Sequence, residues 1–367
     1  MRASSSSTSR RGALEARKAV SGASALTRVR SLRVAGLSLP DAGFFLICGL
    51  AIIGLAYEAI TGPTAFIQIS IFGLADGSMY ALVALGYTMV YGIIELINFA
   101  HGDVFTMGAY IGAAILGFFS YNENSFTAVN LVALLVVFPV VMLIMGGINI
   151  GIERIAYRPL RNAPRLAPLI TAIGMSFVLE GVMFLWQGPA TVHFPDLLPH
   201  GPGFQTTIDG VFIGFKDVFV VVTAAILVTL LALFINRTRL GKAMRATAQD
   251  RDAAQLMGID INRTIAATFF IGALLAGAGG MIWGLYYNNI FYNLGFRTGL
   301  IAFTAAVFGG IGNIPGAAIG GLLIGLISAY SDSYIGSKWT EVVVFGILIG
   351  VLVFRPTGLL GMRVPEK

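Results

Sequence analysis

Apolar residues in this chain run in long blocks instead of alternating with polar ones. The blocks fall at 43–60, 68–92, 98–119, 128–150, 167–187, 213–235 and 264–287, with a Gly-rich stretch at 298–331 and a last block at 340–355. A bilayer-spanning helix needs about 20 apolar residues, and most of these blocks have that length. A segment in hydrocarbon must satisfy its own backbone hydrogen bonds, so these are helices and not the short alternating strands of a barrel. The stretch 298–331 is interrupted by "GGIGNIPGA". It reads as two short helices or as a re-entrant pair, and its break has to be covered by protein or line a cavity. The pattern therefore predicts an all-α, polytopic integral membrane protein with eight spans plus a re-entrant segment, or with ten.

Basic residues set the orientation. The loop 153–166 carries Arg154, Arg158, Arg161 and Arg165, and the loop 236–263 carries Arg237, Arg239, Lys242, Arg245, Arg251 and Arg263. Both are expected on the cytoplasmic side, together with the N- and C-termini. The opposite side receives Lys216, Arg297 and Lys338. The loop 188–212, with Pro189, Pro195, Pro199 and Pro202, is then extracytoplasmic. It is long enough to touch a partner there, or it is a Pro-stiffened connector.

Composition agrees with the pattern. Of the 367 residues 56% are hydrophobic and 11% charged, with a mean hydropathy of +0.83. Soluble domains carry about 25% charged residues. The net charge of +6 belongs to the first forty residues. There Arg2, Arg10, Arg11, Arg17, Lys18, Arg28, Arg30 and Arg33 face Glu15 alone. Residues 1–40 read as a disordered, basic cytoplasmic tail able to lie on anionic lipid, and not as a nucleic-acid-binding surface. Residues 41–361 form the membrane domain, and 362–367 a short cytoplasmic end. The single Cys48 excludes an internal disulfide, and no zinc-protease or nucleotide-binding P-loop motif is present. No cofactor, metal site or ATP site is expected in this chain.

Charges inside spans are costly and usually face a bundle interior or water. Asp76, Glu95, His101, Asp103 and Glu180 sit among apolar neighbours. Asp76 and Glu180 can line a polar path or make internal helix–helix hydrogen bonds. In "LINFAHGDVF" (96–105), His101 and Asp103 are two apart and cannot face each other on a helix, which argues against a His–Asp relay. The connection between two spans is expected near 92–100, with Asn98 as the N-cap of a helix starting at Phe99. A gate-side role for Asn98, His101 and Asp103 is the alternative to a capped helix start.

In the loop 236–263, residues 242–257 are good helix formers and Gly258 fits the position after a helix end. Physics alone allows a helix docked in another protein's groove or an amphipathic helix lying on lipid. Asp252-Ala253-Ala254-x-x-x-Gly258 resembles the Glu-Ala-Ala-x-x-x-Gly coupling loop of ABC importer permeases, with Asp in place of Glu. "GLADGSMYALVALGYTMVYGIIELINFAHGDVFTMGAYIG" (73–112), "ERIAYRPLRNAPRLAPLITAIGMS" (153–176), "FTAAVFGGIGNIPGAAIGGLLIG" (303–325) and "RPTGLLG" (355–361) resemble the high-affinity branched-chain amino acid permeases of the LivH type. The resemblance covers about 65–361.

It implies a non-enzymatic transport subunit of a bacterial inner-membrane ABC importer. Its partners would be separate ATP-binding subunits, a second permease subunit (homologous or identical) and an extracytoplasmic substrate-binding protein. The implied coupling residues are Asp252, Ala253, Ala254 and Gly258, and the implied path or gate residues are Asp76, Asn98, His101, Asp103 and Glu180. Branched-chain amino acids are the expected cargo, and urea or short amides the alternative. A self-contained channel or secondary transporter would need its own ion-coupling residues and no docking helix. An intramembrane enzyme would need a nucleophile or metal beside His101 and Asp103.

Overall fold

The computed structural model describes residues 33–34, 37–38, 49, 53–118, 128–161, 163–164, 166–199, 205–208, 210–355 and 357–361. Most of the basic tail, most of the expected first span at 43–60 and the end at 362–367 lie outside the described residues. Backbone contacts divide the chain into two units, 1–63 and 64–367. The first holds a two-residue antiparallel pair, β1 (Arg33–Val34) with β2 (Leu37–Ser38), and helical residues at 53–61.

The second unit is helical: α1 (Pro63–Ile94), α2 (Ala100–Leu116), α3 (Ala128–Ile152), α4 (Leu166–Gln187), α5 (Phe215–Arg237), α6 (Arg239–Gln249), α7 (Arg251–Leu256), α8 (Ile261–Tyr287), α9 (Leu294–Gly309), α10 (Ile314–Tyr330) and α11 (Ser337–Phe354). Among the described residues six helical tracts are long and apolar enough to cross a membrane. The last, Ile314–Phe354, has 41 residues. As one straight helix it would be about 60 Å long, twice the roughly 30 Å of a hydrocarbon core. It does not run straight: a π-helical turn at Ser331–Gly336 ends at Gly336 (φ +110°), and α11 packs against both α9 and α10.

The stretch 298–331 resolves as the packed pair α9 and α10. Their connection carries two left-handed glycines, Gly310 (φ +113°) and Gly312 (φ +87°). Asn313 caps α10 by accepting from the Gly316 amide at 3.4 Å, and its own amide donates to the Leu360 carbonyl at 2.6 Å. The closing segment 357–361 thus seals the break that the sequence left bare.

α2 lies at the centre, in contact with α3, α4, α8 and α9. Residues 100–110 of this helix are all buried, so its 17 residues need not match a lipid thickness. In the most apolar window of α1 and of α8, 67% and 72% of residues are buried, against 22% for α4 and α5. The latter two therefore form the outside of the unit.

Lipid is as apolar as leucine, so helices in it associate by close fit and not by a hydrophobic effect. Small residues supply that fit. Gly73, Gly77 and Ala81 on α1 meet Gly321, Gly325 and Ala329 on α10, each set spaced four apart. A Cβ at Gly325 would stand 2.2 Å from the Gly77 Cα, and one at Gly321 2.4 Å from the Ala81 Cα. α8 meets α2 the same way: a Cβ at Gly280 would stand 2.0 Å from the Phe105 carbonyl oxygen.

The loop 188–212 is structured at both ends. β3 (Val192–His193) pairs with β6 (Asn289–Ile290), and β4 (Gln205–Ile208) forms a hairpin with β5 (Val211–Gly214). Phe194 is fully buried against Gly284. Lys216 donates to Asp196 at 2.8 Å and to the Asn288 side chain at 2.7 Å. These contacts fix the loop to α5 and α8, more than a bare Pro-stiffened connector would do.

Candidate translocation and coupling sites

His101 and Asp103 point to opposite sides of α2, as a helix requires. The His101 ring fills a notch that exists because residue 86 is glycine, and it lies in ordinary contact distance of residue 272. A Cβ at Gly86 would come 2.0 Å from its Nε2, and one at Gly272 3.7 Å from its Cε1. Its other neighbour is Tyr87, ring edge to ring face at 5.0 Å. Asp103 is also fully buried. One oxygen accepts from the Ser176 hydroxyl of α4, and the other has no hydrogen-bond partner among the described residues. Glu180 lies one turn beyond Ser176 on the peripheral helix α4, close enough to act on Asp103 electrostatically, and is only partly buried. The two acids therefore belong to one α2–α4 locus, open at Glu180 and closed at Asp103. Among the described residues no group of three or more His, Cys, Asp or Glu side chains is placed to hold a metal ion.

Asn98 is not the helix cap. α2 begins at Ala100 after Phe99, and no side chain caps it. Glu95 adopts φ +58°, which turns the chain before Asn98 and carries its side chain into the protein. There Asn98 is 2% exposed and its Oδ1 accepts from the Tyr157 hydroxyl at 2.6 Å. Tyr157 comes from a π-helical turn, Glu153–Tyr157, that continues α3. Nothing in the local sequence of 96–105 signals a partner 59 residues away. Removing that hydroxyl strands a buried carbonyl oxygen, which costs roughly 1–3 kcal/mol. Tyr157→Phe is expected to lower the thermal midpoint of the detergent-solubilised protein by a few degrees, read by unfolding fluorescence.

Asp76, on α1, accepts from the Tyr287 hydroxyl of α8 at 2.5 Å. Tyr287 packs against Trp283 with ring centroids 4.4 Å apart and the planes tilted by 39°. The acid is thus part of an aromatic cluster at the end of the unit where α8 finishes, far along α1 from the 95–99 connection. Sequence reading missed Tyr287 and Trp283, and 211 residues separate Asp76 from its partner.

At the other end, the expected helix 242–257 is two helices. Asp250 leaves helical geometry (φ −155°, ψ 113°) and its Oδ1 accepts from the amides of Asp252 and Ala253 at 2.9 and 3.0 Å. This caps α7. Gly258 (φ +83°) closes it, with amides 258 and 259 bonded back to the carbonyls of Gln255 and Ala254, a Schellman-type end that favours glycine. Asp252 and Ala253 are exposed, but Ala254 is buried. Ala254 therefore faces its own protein. The apolar side chains that α7 presents outward are Leu256 and Met257, 89% and 83% exposed, at positions no motif singled out. An exposed apolar pair outside the spans suits burial in a partner groove.

The position of α6–α7 is fixed from three sides. Thr238 caps α6 through the Gly241 amide at 3.0 Å. A Cβ at Gly241 would stand 2.3 Å from the Ile235 carbonyl, so the sharp turn out of α5 requires glycine. Arg251 donates to the Ile93 carbonyl at 2.8 Å, tying α7 to the end of α1. The loops 92–100, 153–166 and 236–263 are thereby gathered at one end, around a cavity of about 350 Å³.

Residues 69–352 match the family described as the branched-chain amino acid transport system, permease component. The chain belongs to that family. It is a transport component of the membrane, with several spanning helices. The permease is 44% identical to the high-affinity branched-chain amino acid transport system permease protein BraD of Pseudomonas aeruginosa over 303 residues, covering 82% of this chain and 98% of that protein. It is 42% identical to the corresponding permease protein LivH of Escherichia coli K12 over 308 residues, covering 82% and 97%. A more distant likeness, 28% over 193 residues, joins it to the galactose/methyl galactoside import permease protein MglC of Haemophilus influenzae, covering 50% of this chain and 57% of that one. No solved structure matches the permease.

Proposed function

We propose that the chain is the transmembrane permease subunit of an ABC importer that carries branched-chain amino acids across the bacterial inner membrane. The observation that carries this reading is the near-complete coverage, at over 40% identity, of permeases named for that cargo. These relatives favour branched-chain amino acids over urea or short amides, and an importer subunit over a self-contained channel. ATP hydrolysis belongs to partner subunits that dock on α7, with Leu256, Met257, Asp252 and Ala253 as the contact face and Gly258 and Ala254 as its internal supports. The end holding α6–α7 is cytoplasmic, as are both termini, because the arginine-bearing loops gather there. A substrate-binding protein delivers cargo at the opposite end, near the hairpin and Asp76. α9 and α10 each cross the membrane, giving ten spans together with the one expected from the sequence at 43–60.

The cargo path runs along the α2–α4 side. A carboxylate on a peripheral spanning helix is too costly to leave in lipid. Glu180 therefore faces water or a second permease subunit, with Asp103 and Ser176 behind it and Asp76 toward the mouth. Asn98 and His101 serve packing at the inner gate. Glu180→Gln is expected to slow uptake about tenfold, equivalent to ~1.4 kcal/mol in the barrier, with the complex still assembled on size-exclusion chromatography. The cargo is tested in proteoliposomes of the full transporter fed by its binding protein. Excess leucine should abolish uptake of labelled isoleucine and excess urea should leave it unchanged; the reverse pattern refutes the assignment.

A further inference from the structure

The cavity between α7, the end of α1 and the start of α4 lies beside the proposed docking face, with which it shares Asp252, and takes no part in the α2–α4 locus. Its lining carries both charge signs: Arg161 and Arg251 with Glu95 and Asp252. Apolar wall is supplied by Ile94, Leu96 and Pro168. At about 350 Å³ it falls at the small end of ligand pockets. Arg161 donates to Glu153 and to the Asn262 side chain, and its Nε has no hydrogen-bond partner among the described residues. Its burial lowers its proton affinity, Glu153 offsets this, and Arg158 and Arg251 add repulsion. An anion entering here relieves that repulsion. Glu95 is one of two described non-glycine residues with positive φ. Such strain persists where the surroundings impose it and is concentrated at functional sites.

We propose that this cavity binds the released amino acid as a zwitterion on the ATPase side, its carboxylate toward Arg161 and Arg251 and its ammonium toward Glu95 and Asp252. Bound there, the amino acid bridges α7 to α1 and α4. The Arg251–Ile93 tether already spans that gap, so occupancy holds the docking helix in place. A ligand that prefers one position of a moving element shifts the equilibrium toward it. The accumulated product thus slows its own import. The inference rests on the cytoplasmic assignment of this end, and the importer reading stands without it.

The test uses proteoliposomes of the complete transporter with ATP inside and binding protein outside. Unlabelled leucine in the lumen should slow initial uptake about fivefold or more, the lower range of ordinary allosteric coupling. Equal lumenal 4-methylpentanoate, which lacks the amine, and equal inorganic phosphate should have no such effect. Glu95→Gln should import normally into vesicles without lumenal leucine and lose the inhibition. Glu95 is exposed and takes no part in tethering α7, so its variant keeps the assembled transporter. Uptake unaffected by lumenal leucine in the unmodified protein, inhibition retained in Glu95→Gln, or equal inhibition by phosphate would each overturn the site. Absence of ATP-driven uptake into vesicles without lumenal leucine would instead fail the importer reading.

Discussion

Gly280→Ala is expected to remove the folded permease from the membrane. The added methyl would stand 2.0 Å from the Phe105 carbonyl and 2.9 Å from the Ala109 amide nitrogen. Both are backbone atoms of the central helix, which no rotamer change can move aside. α2 and α8 would have to separate along their length, and with them Gly277 and Gly108, where a Cβ on Gly108 would lie 2.8 Å from the Gly277 Cα. Overpacking of a tight core costs roughly 1–3 kcal/mol when side chains can adjust, and here they cannot. Gly147→Ala on α3 is the matched control, since nothing lies within 4 Å of its added carbon. Fluorescence size-exclusion chromatography of tagged protein should show a monodisperse peak for Gly147→Ala and a lost or aggregated one for Gly280→Ala. Normal peaks from both would mean that the α2–α8 contact is looser than described.

The second large effect is expected at α7, the proposed docking helix. Leu256→Asp combined with Met257→Asp should leave the permease folded and membrane-inserted, because both side chains are almost fully exposed. Co-purification of the ATPase should fall below detection, and ATP-driven uptake with it. The buried Ala254 separates two kinds of failure. Ala254→Arg pushes a charge into the protein's own interior, so it should damage the position of α7 as well as docking, visible as a lower thermal midpoint. If the Leu256/Met257 double variant still retains its ATPase, α7 does not dock through its exposed apolar pair.

The long apolar blocks were legible because lipid imposes a length that a sequence displays directly. The break at 310–313 was legible because glycine and proline mark it. The helix end at Gly258 was legible for the same reason. His101 and Asp103 were rightly kept apart by a two-residue spacing, a local property of any helix. Asn98 was misjudged because a capping residue type says nothing about a Tyr157 hydroxyl arriving from a π-helical turn far along the chain. The split between α6 and α7 hung on Asp250 using its carboxylate as a cap, a choice open to any aspartate before a helix. Ala254 and Met257 look equally plausible on a docking face until tertiary packing decides which side of α7 is covered. Partners such as Tyr287 for Asp76 and Ser176 for Asp103 are distant in sequence, and an apolar background gives no periodicity that would pair them.

If the proposed function holds, this chain moves amino acids only as one part of an ATP-driven assembly. The most direct test is to purify the tagged chain from its native membrane, reconstitute it with and without the co-purifying ATPase, and follow labelled leucine with binding protein supplied. An ATPase subunit is expected to come with the chain, and uptake is expected to require it and ATP. Leucine uptake that persists in vesicles free of any ATPase would contradict the proposed function.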